Sequence, residues 1–244
     1  DPKGARGVYY LIREWGITIN AMQNTPGINN GPIQPGTWTI YVDTYRLLPP
    51  DPINYRIDID LSMDPINVTA AEYGRKKSLH RGPGWYRGDL HAHSLHSDAN
   101  WDVPDLVNFA RRNGLDFVTL TDHNTVSGLP QHDSLTDGDL LTMGGIELTT
   151  FYGHALALGK RQWYEWRLDT EDQPTMRELA QRAIDSGALF VIAHPMSPGD
   201  PICSGCRWEY ADMRPGNAPA VEVWNGVWRE FNEMSLQEYY RWLN

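Results

Sequence analysis

Between Trp85 and Asn225 the chain repeats one device: a short apolar, strand-like run that ends in a residue able to bind a metal. "YRGDLHAH" ends in His91 and His93, "DFVTLTDH" in Asp122 and His123, and "LLTMGGIELTT" carries Glu147. His154 lies in "FYGHALALG", His194 ends "FVIAH", and Glu222 and Asn225 bracket the end of "VEVWN". A buried strand has no packing reason to end this way, because an unpaired charge in an apolar interior costs several kcal/mol or is neutralised. Amphipathic segments separate the runs. Residues 102–113 predict a helix with Pro104 in its first turn and Gly114 as its stop. Residues 170–187 predict another, with Pro174 early, Leu179, Ala183 and Ile184 on one face, and Gly187 at its end. Trp228, Phe231, Leu236, Tyr239, Tyr240 and Leu243 fit a 3.6-residue period in a last helix over 228–243. Strand–helix–strand order predicts parallel strands with covering helices, as a barrel or an open sheet. In such barrels the carboxyl ends of the strands meet on one face, so residues distant in sequence converge there.

Residues 1–83 read differently. "NTPGINNGPIQPG" is a run of turn formers, and "TWTIYVDTYRL" (37–47) and "NYRIDIDLSM" (54–63) alternate apolar and polar residues as half-buried strands do. A small β-rich domain over 1–83 is expected, with "KKSLHRGPG" (76–84) as linker to an α/β domain over 84–244. That first domain is expected to pack on the second without supplying metal ligands. The longest apolar run, "ALFVIA", is far below the roughly 20 residues of a membrane span. No signal peptide is visible, although the chain starts at Asp1, so the compartment stays open. A net charge of −10 argues against a nucleic-acid partner. The only cysteines, Cys203 and Cys206, form one C-x-x-C; a local disulfide or a bystander pair is favoured over a redox role.

The densest stretch is "GDLHAHSLHSDA" (88–99), which holds His91, His93 and His96 between Asp89 and Asp98. His91 and His93 are two apart on a strand and face the same side, which suits two imidazoles on one cation. The donors are nitrogen and oxygen without sulfur, a set that fits Zn, Mn or Fe(II). With more than four candidate ligands, two or three divalent ions are expected. Each residue alone has a plain structural reading. A lone H-x-H recurs by chance, His194 before Pro195 suits a packed turn, and His80 and His132 read as surface residues. His96 is balanced between a supporting contact and exposure. The conjunction at successive strand ends argues for the metal site.

In order and spacing, "GDLHAHSLHSDA", "DFVTLTDHNT", "GIELTT" with "GHALALG", and "VIAHP" resemble the PHP (polymerase and histidinol phosphatase) family of metal-dependent hydrolases over residues 85–244. "GWYRGDLHAHS", "TDHNT" and "VEVWNG" resemble its carbaryl-hydrolase-like branch. The resemblance implies a distorted (β/α)7 barrel with a two- or three-metal site. It implies His91 and His93 on the first ion, Glu147 shared, Asp98 and His123 on a second, and His194 and His154 on a third. Asp89 matches no ligand position and is expected to accept from an imidazole N–H, as Asp122 would from His123.

Ions so held imply hydrolysis by a metal-bound hydroxide, with His91, His93, Glu147 and His194 as the catalytic set. Aromatic residues near strand ends (Trp101, Trp208, Trp224, Trp228) tilt the expectation towards a carbamate, ester or amide of a small organic molecule. A phosphoesterase is the alternative, for which Arg207, Arg214 and Arg229 are candidate cations. A non-catalytic metal-binding module and a polymerase accessory domain are the rivals. The family's closing Asp-x-His pair does not follow "VEVWNG". The reading expects a chain cut at its C-terminus, with weak metal binding, or Glu222 standing in for the missing Asp.

Overall fold

A computed structural model describes residues 1–8, 16–43, 54–63, 82–168 and 174–243. Its frame is a six-stranded sheet in the order β1 (Gly88–Ala92), β2 (Phe117–Leu120), β3 (Leu141–Thr150), β4 (Gly153–Leu158), β5 (Leu189–Ile192) and β6 (Ala220–Val221). The helices are α1 (Val103–Arg112), α2 (Leu129–Ser134), α3 (Met176–Asp185) and α4 (Glu230–Trp242). Asp102 caps α1 by accepting from the Val103 N–H, and Thr175 and Glu178 close a capping box at the start of α3. Pro174 therefore precedes the α3 cap, and residues 170–173 of the expected helix lie outside the described residues.

The sheet is mixed, which corrects the expectation of parallel strands. β1, β2 and β3 run parallel, β4 is antiparallel to both β3 and β5, and β6 is parallel to β5. The reason is length. Only residues 151 and 152 separate β3 from β4, and a parallel crossover needs a dozen or more. The six described strands form one open sheet.

Alternation along the strands sorts their side chains. Ile146 and Leu148 of β3, Ala155 and Ala157 of β4, and Phe190 and Ile192 of β5 pack beneath Met176, Leu179, Ala180 and Ala183 of α3. Val118 and Leu120 of β2 meet Val103, Leu106, Val107 and Ala110 of α1. The opposite face of β4 and β5 carries Leu156, Leu158 and Val191. Glu147, paired with Leu156 in register, and His154, two residues before Leu156, belong to that second face. His91 Nδ1 on β1 lies 3.0 Å from Glu222 Oε1, one residue past β6. Flat, the edges of a six-stranded sheet would stand about 24 Å apart. The sheet must curl so that this face becomes concave and its edges approach.

Among the described residues before Gly82, strand pairing is limited to an isolated bridge, Gly7 with Ile28. Residues 37–43 and 54–63, expected as half-buried strands, form no ladder. Ile59, Leu61 and Met63 are exposed there, and among the described residues the alternating pattern meets no partner strand. Residues 44–47 of the first expected strand, and 76–81 of the linker with His80, lie outside the described residues. α4 starts at Glu230, so Trp228 precedes it; Trp228, Tyr240 and Leu243 are exposed, while Asn232 and Ser235 are the residues it buries. No described helix is long and apolar enough to cross a membrane.

Candidate metal centre

Glu147 is fully buried at the centre of the concave face, and five imidazoles close on it. Its Oε2 lies 3.2 Å from His91 Nε2, 3.2 Å from His93 Nε2 and 3.0 Å from His123 Nδ1. Its Oε1 lies 3.1 Å from His154 Nδ1 and 3.3 Å from His194 Nε2. Asp98 completes the set, 3.5 Å from His123 Nε2 and 3.9 Å from His93 Nδ1. All the residues expected from the sequence, His91, His93, Asp98, His123, Glu147, His154 and His194, thus meet in one cluster. Four overlapping groups have donor atoms within 4.8 Å of one another: His91/His93/Glu147, His93/Asp98/His123, His123/Glu147/His154 and His91/His194/Glu222.

The close approaches around Glu147 Oε2 are not hydrogen bonds. That oxygen, His93 Nδ1 and His154 Nε2 are buried without an aligned partner. Native interiors leave few such atoms, and each one calls for a cause. Donor atoms that converge without pointing at each other are arranged as ligands of a common cation are. The nitrogen and carboxylate donors fit Zn, Mn or Fe(II).

Protonation tells the same story. Burial works to raise the Glu147 carboxyl, but His123 and His91 outweigh it and hold the group well below the usual carboxylate range. Burial works to lower His123, yet Glu147 and Asp98 push it up to about 10, and His91 is raised well above its ordinary value against the same penalty. Asp98, also resisted by burial, is drawn down to about 2 by His123 and His93. His154 goes the other way, because burial exceeds the pull of Glu147. Without a bound cation, protons on His91 and His123 would supply the positive charge that Glu147 requires.

The supporting contacts differ from those expected. Asp89 accepts from the backbone N–H of His91 (3.0 Å), not from an imidazole. The ring of His91 is held by Glu222 through Nδ1, which leaves Nε2 turned to Glu147. Glu222 is itself braced, since its Oε2 accepts from the His194 N–H (3.0 Å) and its Oε1 from Asn225 Nδ2 (3.3 Å). Asp122 accepts from the Ser94 N–H, Ser94 Oγ and Ser97 Oγ at 2.7–2.8 Å, so it shapes the turn before Asp98 and does not orient His123. His123 Nδ1 instead makes a short contact with Thr149 Oγ1. Asn124, at φ 53°, bonds both backbone groups of Thr149 and ties the loop after β2 to β3. His194 has φ 28°, a conformation rare outside glycine and Asn. Its Nδ1 faces the Cys206 carbonyl at 3.3 Å, which presents Nε2 to Glu147. Cys203 and Cys206 are joined as a disulfide.

Sequence reasoning missed His132, which is 0% exposed and has both ring nitrogens unpartnered. Its stretch is polar, but α2 folds it inward beside the Asp133–Arg161 ion pair. His96 is half-buried and bonded through Nδ1 to Ser127 Oγ (2.7 Å). Arg207, Arg214 and Arg229 are exposed. Trp208 packs against the core with its Nε1 on the Met213 carbonyl, and Trp224 and Trp228, both exposed, meet edge to face.

No family model matches the chain. A curated relative, an uncharacterized protein of Methanocaldococcus jannaschii, is 26% identical over 156 residues, covering 59% of this chain and 84% of the relative. Two solved structures are similar. One, from Bacteroides vulgatus, is a two-domain protein containing a predicted PHP-like metal-dependent phosphoesterase: 20% identity, TM-score 0.45, covering 65% of this chain. The chain spans about half of that protein, 49% of its length. The other, from Bifidobacterium adolescentis, carries the name of a candidate metal-dependent phosphoesterase: 17% identity, TM-score 0.46, covering 66% of this chain and 85% of that one.

Proposed function

We propose that the protein is a metal-dependent hydrolase of PHP type that acts on a small phosphoester. The observation that carries the reading is Glu147, whose two buried oxygens are ringed by imidazole nitrogens at 3.0–3.3 Å with Oε2 left outside any aligned hydrogen bond. Glu147 is then the carboxylate shared between ions, His91, His93 and His194 hold its flanks, Asp98 and His123 hold one side, and His154 closes the set from β4. Divalent cations bound there would supply a water ionised near neutral pH and neutralise charge on the attacked group.

Charge favours phosphorus over carbonyl as the electrophile. The acidic groups of the cluster are Glu147, Asp98 and Glu222, and two or three divalent ions exceed their summed charge. The resulting positive site favours an anionic substrate. Of the aromatic residues that point to a carbonyl substrate, Trp208 is packed against the core. A carbamate or ester of an aromatic alcohol is the second reading, favoured by the exposed Trp101, Trp224 and Trp228.

The test is an assay of p-nitrophenyl phosphate against 1-naphthyl methylcarbamate with Mn or Zn added, beside a metal analysis of the purified chain. Turnover of the phosphate, lost in His93→Ala together with bound metal while the fold is kept, is the expected outcome. Retained activity in that variant would sink the mechanism, and turnover of the carbamate alone would select the second reading.

A further inference from the structure

The loops that carry Asp98 and His123 are gripped by a residue far away in sequence. Gly27 donates its N–H to Ser127 Oγ at 3.1 Å and lies 3.4 Å from His96 Nδ1, while its carbonyl accepts from Thr125 Oγ1 at 2.9 Å. His96 stands two residues before Asp98, and Thr125 two residues after His123. Ser127 Oγ, having accepted from Gly27, is left to donate to His96 Nδ1 at 2.7 Å, so one buried backbone unit joins both loops. Gly27 is itself braced. The Val8 N–H donates to its carbonyl (3.1 Å), Asn29 N–H to Arg6 O (2.8 Å), and Ile28 is buried beside it. Its φ is 94°, and a Cβ there would sit 2.3 Å from the Val8 carbonyl oxygen and 3.1 Å from that of His96. The position requires glycine on both counts.

Asp98 needs such help. Its side chain is 41% exposed, the most open of the cluster, and its distances to His93 and His123 are the longest. From the sheet side its turn is fixed by Asp122 through Ser94 and Ser97. From the other side, His96, two residues before Asp98, is tied through Ser127 to the segment around Gly27.

We propose that residues 25–29 are a clamp that positions the His93/Asp98/His123 half of the cluster for its cation, with Gly27 as the positioning residue and Thr125 and Ser127 as its anchors. The inference rests on the metal-hydrolase reading. It makes the N-terminal part of the chain a builder of the site although none of its described residues donates a ligand.

The experiment is a cobalt(II) titration of the full chain, read by visible absorbance and by calorimetry. The variants are Thr125→Val, Thr125→Ser and Gly27→Ala. Wild type should show at least two classes of site. Thr125→Val and Gly27→Ala should weaken one class on the order of tenfold, the usual size of a lost supporting contact, and leave the other unchanged. Thr125→Ser, which keeps the hydroxyl, should bind like wild type. If Thr125→Val fails to fold, Ser127→Ala is read in the same way. The proposal falls if these variants titrate like wild type, if all classes weaken together, or if Thr125→Ser fails as Thr125→Val does. Absence of cobalt binding by wild type removes the hydrolase reading as well, whereas binding by wild type with unaffected variants removes the clamp alone.

Discussion

Glu222 holds His91 by the ring nitrogen that faces away from Glu147, and Asp89 touches only the His91 backbone. The two carboxylates therefore make opposite predictions. Glu222→Gln keeps the size but loses the charge behind the imidazole, and should weaken divalent-ion binding tenfold or more in competition with a chromogenic chelator. Asp89→Asn should bind within about twofold of wild type; equal loss in both variants would show that Glu222 has no special hold on His91. His132 yields a prediction about pH. Burial, opposed by Asp133 and assisted by Arg161, lowers it to about 4. Its folded value lies below the ordinary 6.5, so between those limits the unfolded chain binds the proton and the folded one does not. Stability linked to His132 is thus full above pH 6.5, declines as pH falls, and is spent near pH 4, with a loss of about 2 kcal/mol by pH 5. His91 and His123 have the opposite sign in the ion-free protein. Being raised, they contribute below pH 6.5 and fade as pH climbs, for His123 through about 10. The difference between wild type and His132→Leu in urea melts at pH 7.5 and pH 5 isolates the first effect; equal stability gaps at the two pH values would refute it.

At the scale of elements, what was legible in the sequence is what local chemistry decides. The helix expected over 102–113 is observed at Val103–Arg112, because Asp102 caps it and Gly114, at φ 67°, ends it, and both signals lie in adjacent residues. The strands bearing the ligand-type residues were legible because a His or Glu at the end of an apolar run has few structural uses. Strand direction was not. The two-residue link between β3 and β4 reverses the chain, and periodicity is blind to that sign. The alternation in 37–43 and 54–63 carried the signature of strands, but a ladder also needs a partner, which no local pattern supplies. α2 was hidden by its length and polarity, and with it the burial of His132. The roles of Glu222, Asp122 and Gly27 were beyond reach for one reason: each acts on a residue that only the curl of the sheet or a contact across many residues brings near.

At the scale of the molecule, the cluster does a job that the sheet leaves undone. Among the described strands β1 pairs only with β2 and β6 only with β5, so no backbone ladder joins the edges of the curled sheet. Side chains join them instead: His91 from β1 reaches Glu222 beyond β6, and it meets His194 from the end of β5 with rings stacked at 5.7 Å. Cations bound at the cluster would tie the same edges and stabilise the closed arrangement by RT ln(1 + [L]/Kd), about 2.7 kcal/mol at a concentration of 100 Kd. Removal of the ions should therefore act locally. On chelation, amide exchange should quicken up to about a hundredfold at β1 and in the residues following β5 and β6, where opening of an edge breaks the tie. α1, α3 and the β3–β4 hairpin, packed by buried apolar side chains, should keep their protection. Hydrogen-exchange mass spectrometry of the ion-loaded and chelated protein separates the outcomes. A uniform loss across all peptides would mean that the ions stabilise the fold globally and tie no particular edges. No change at β1 would mean that the edges are held by His91 and Glu222 without help.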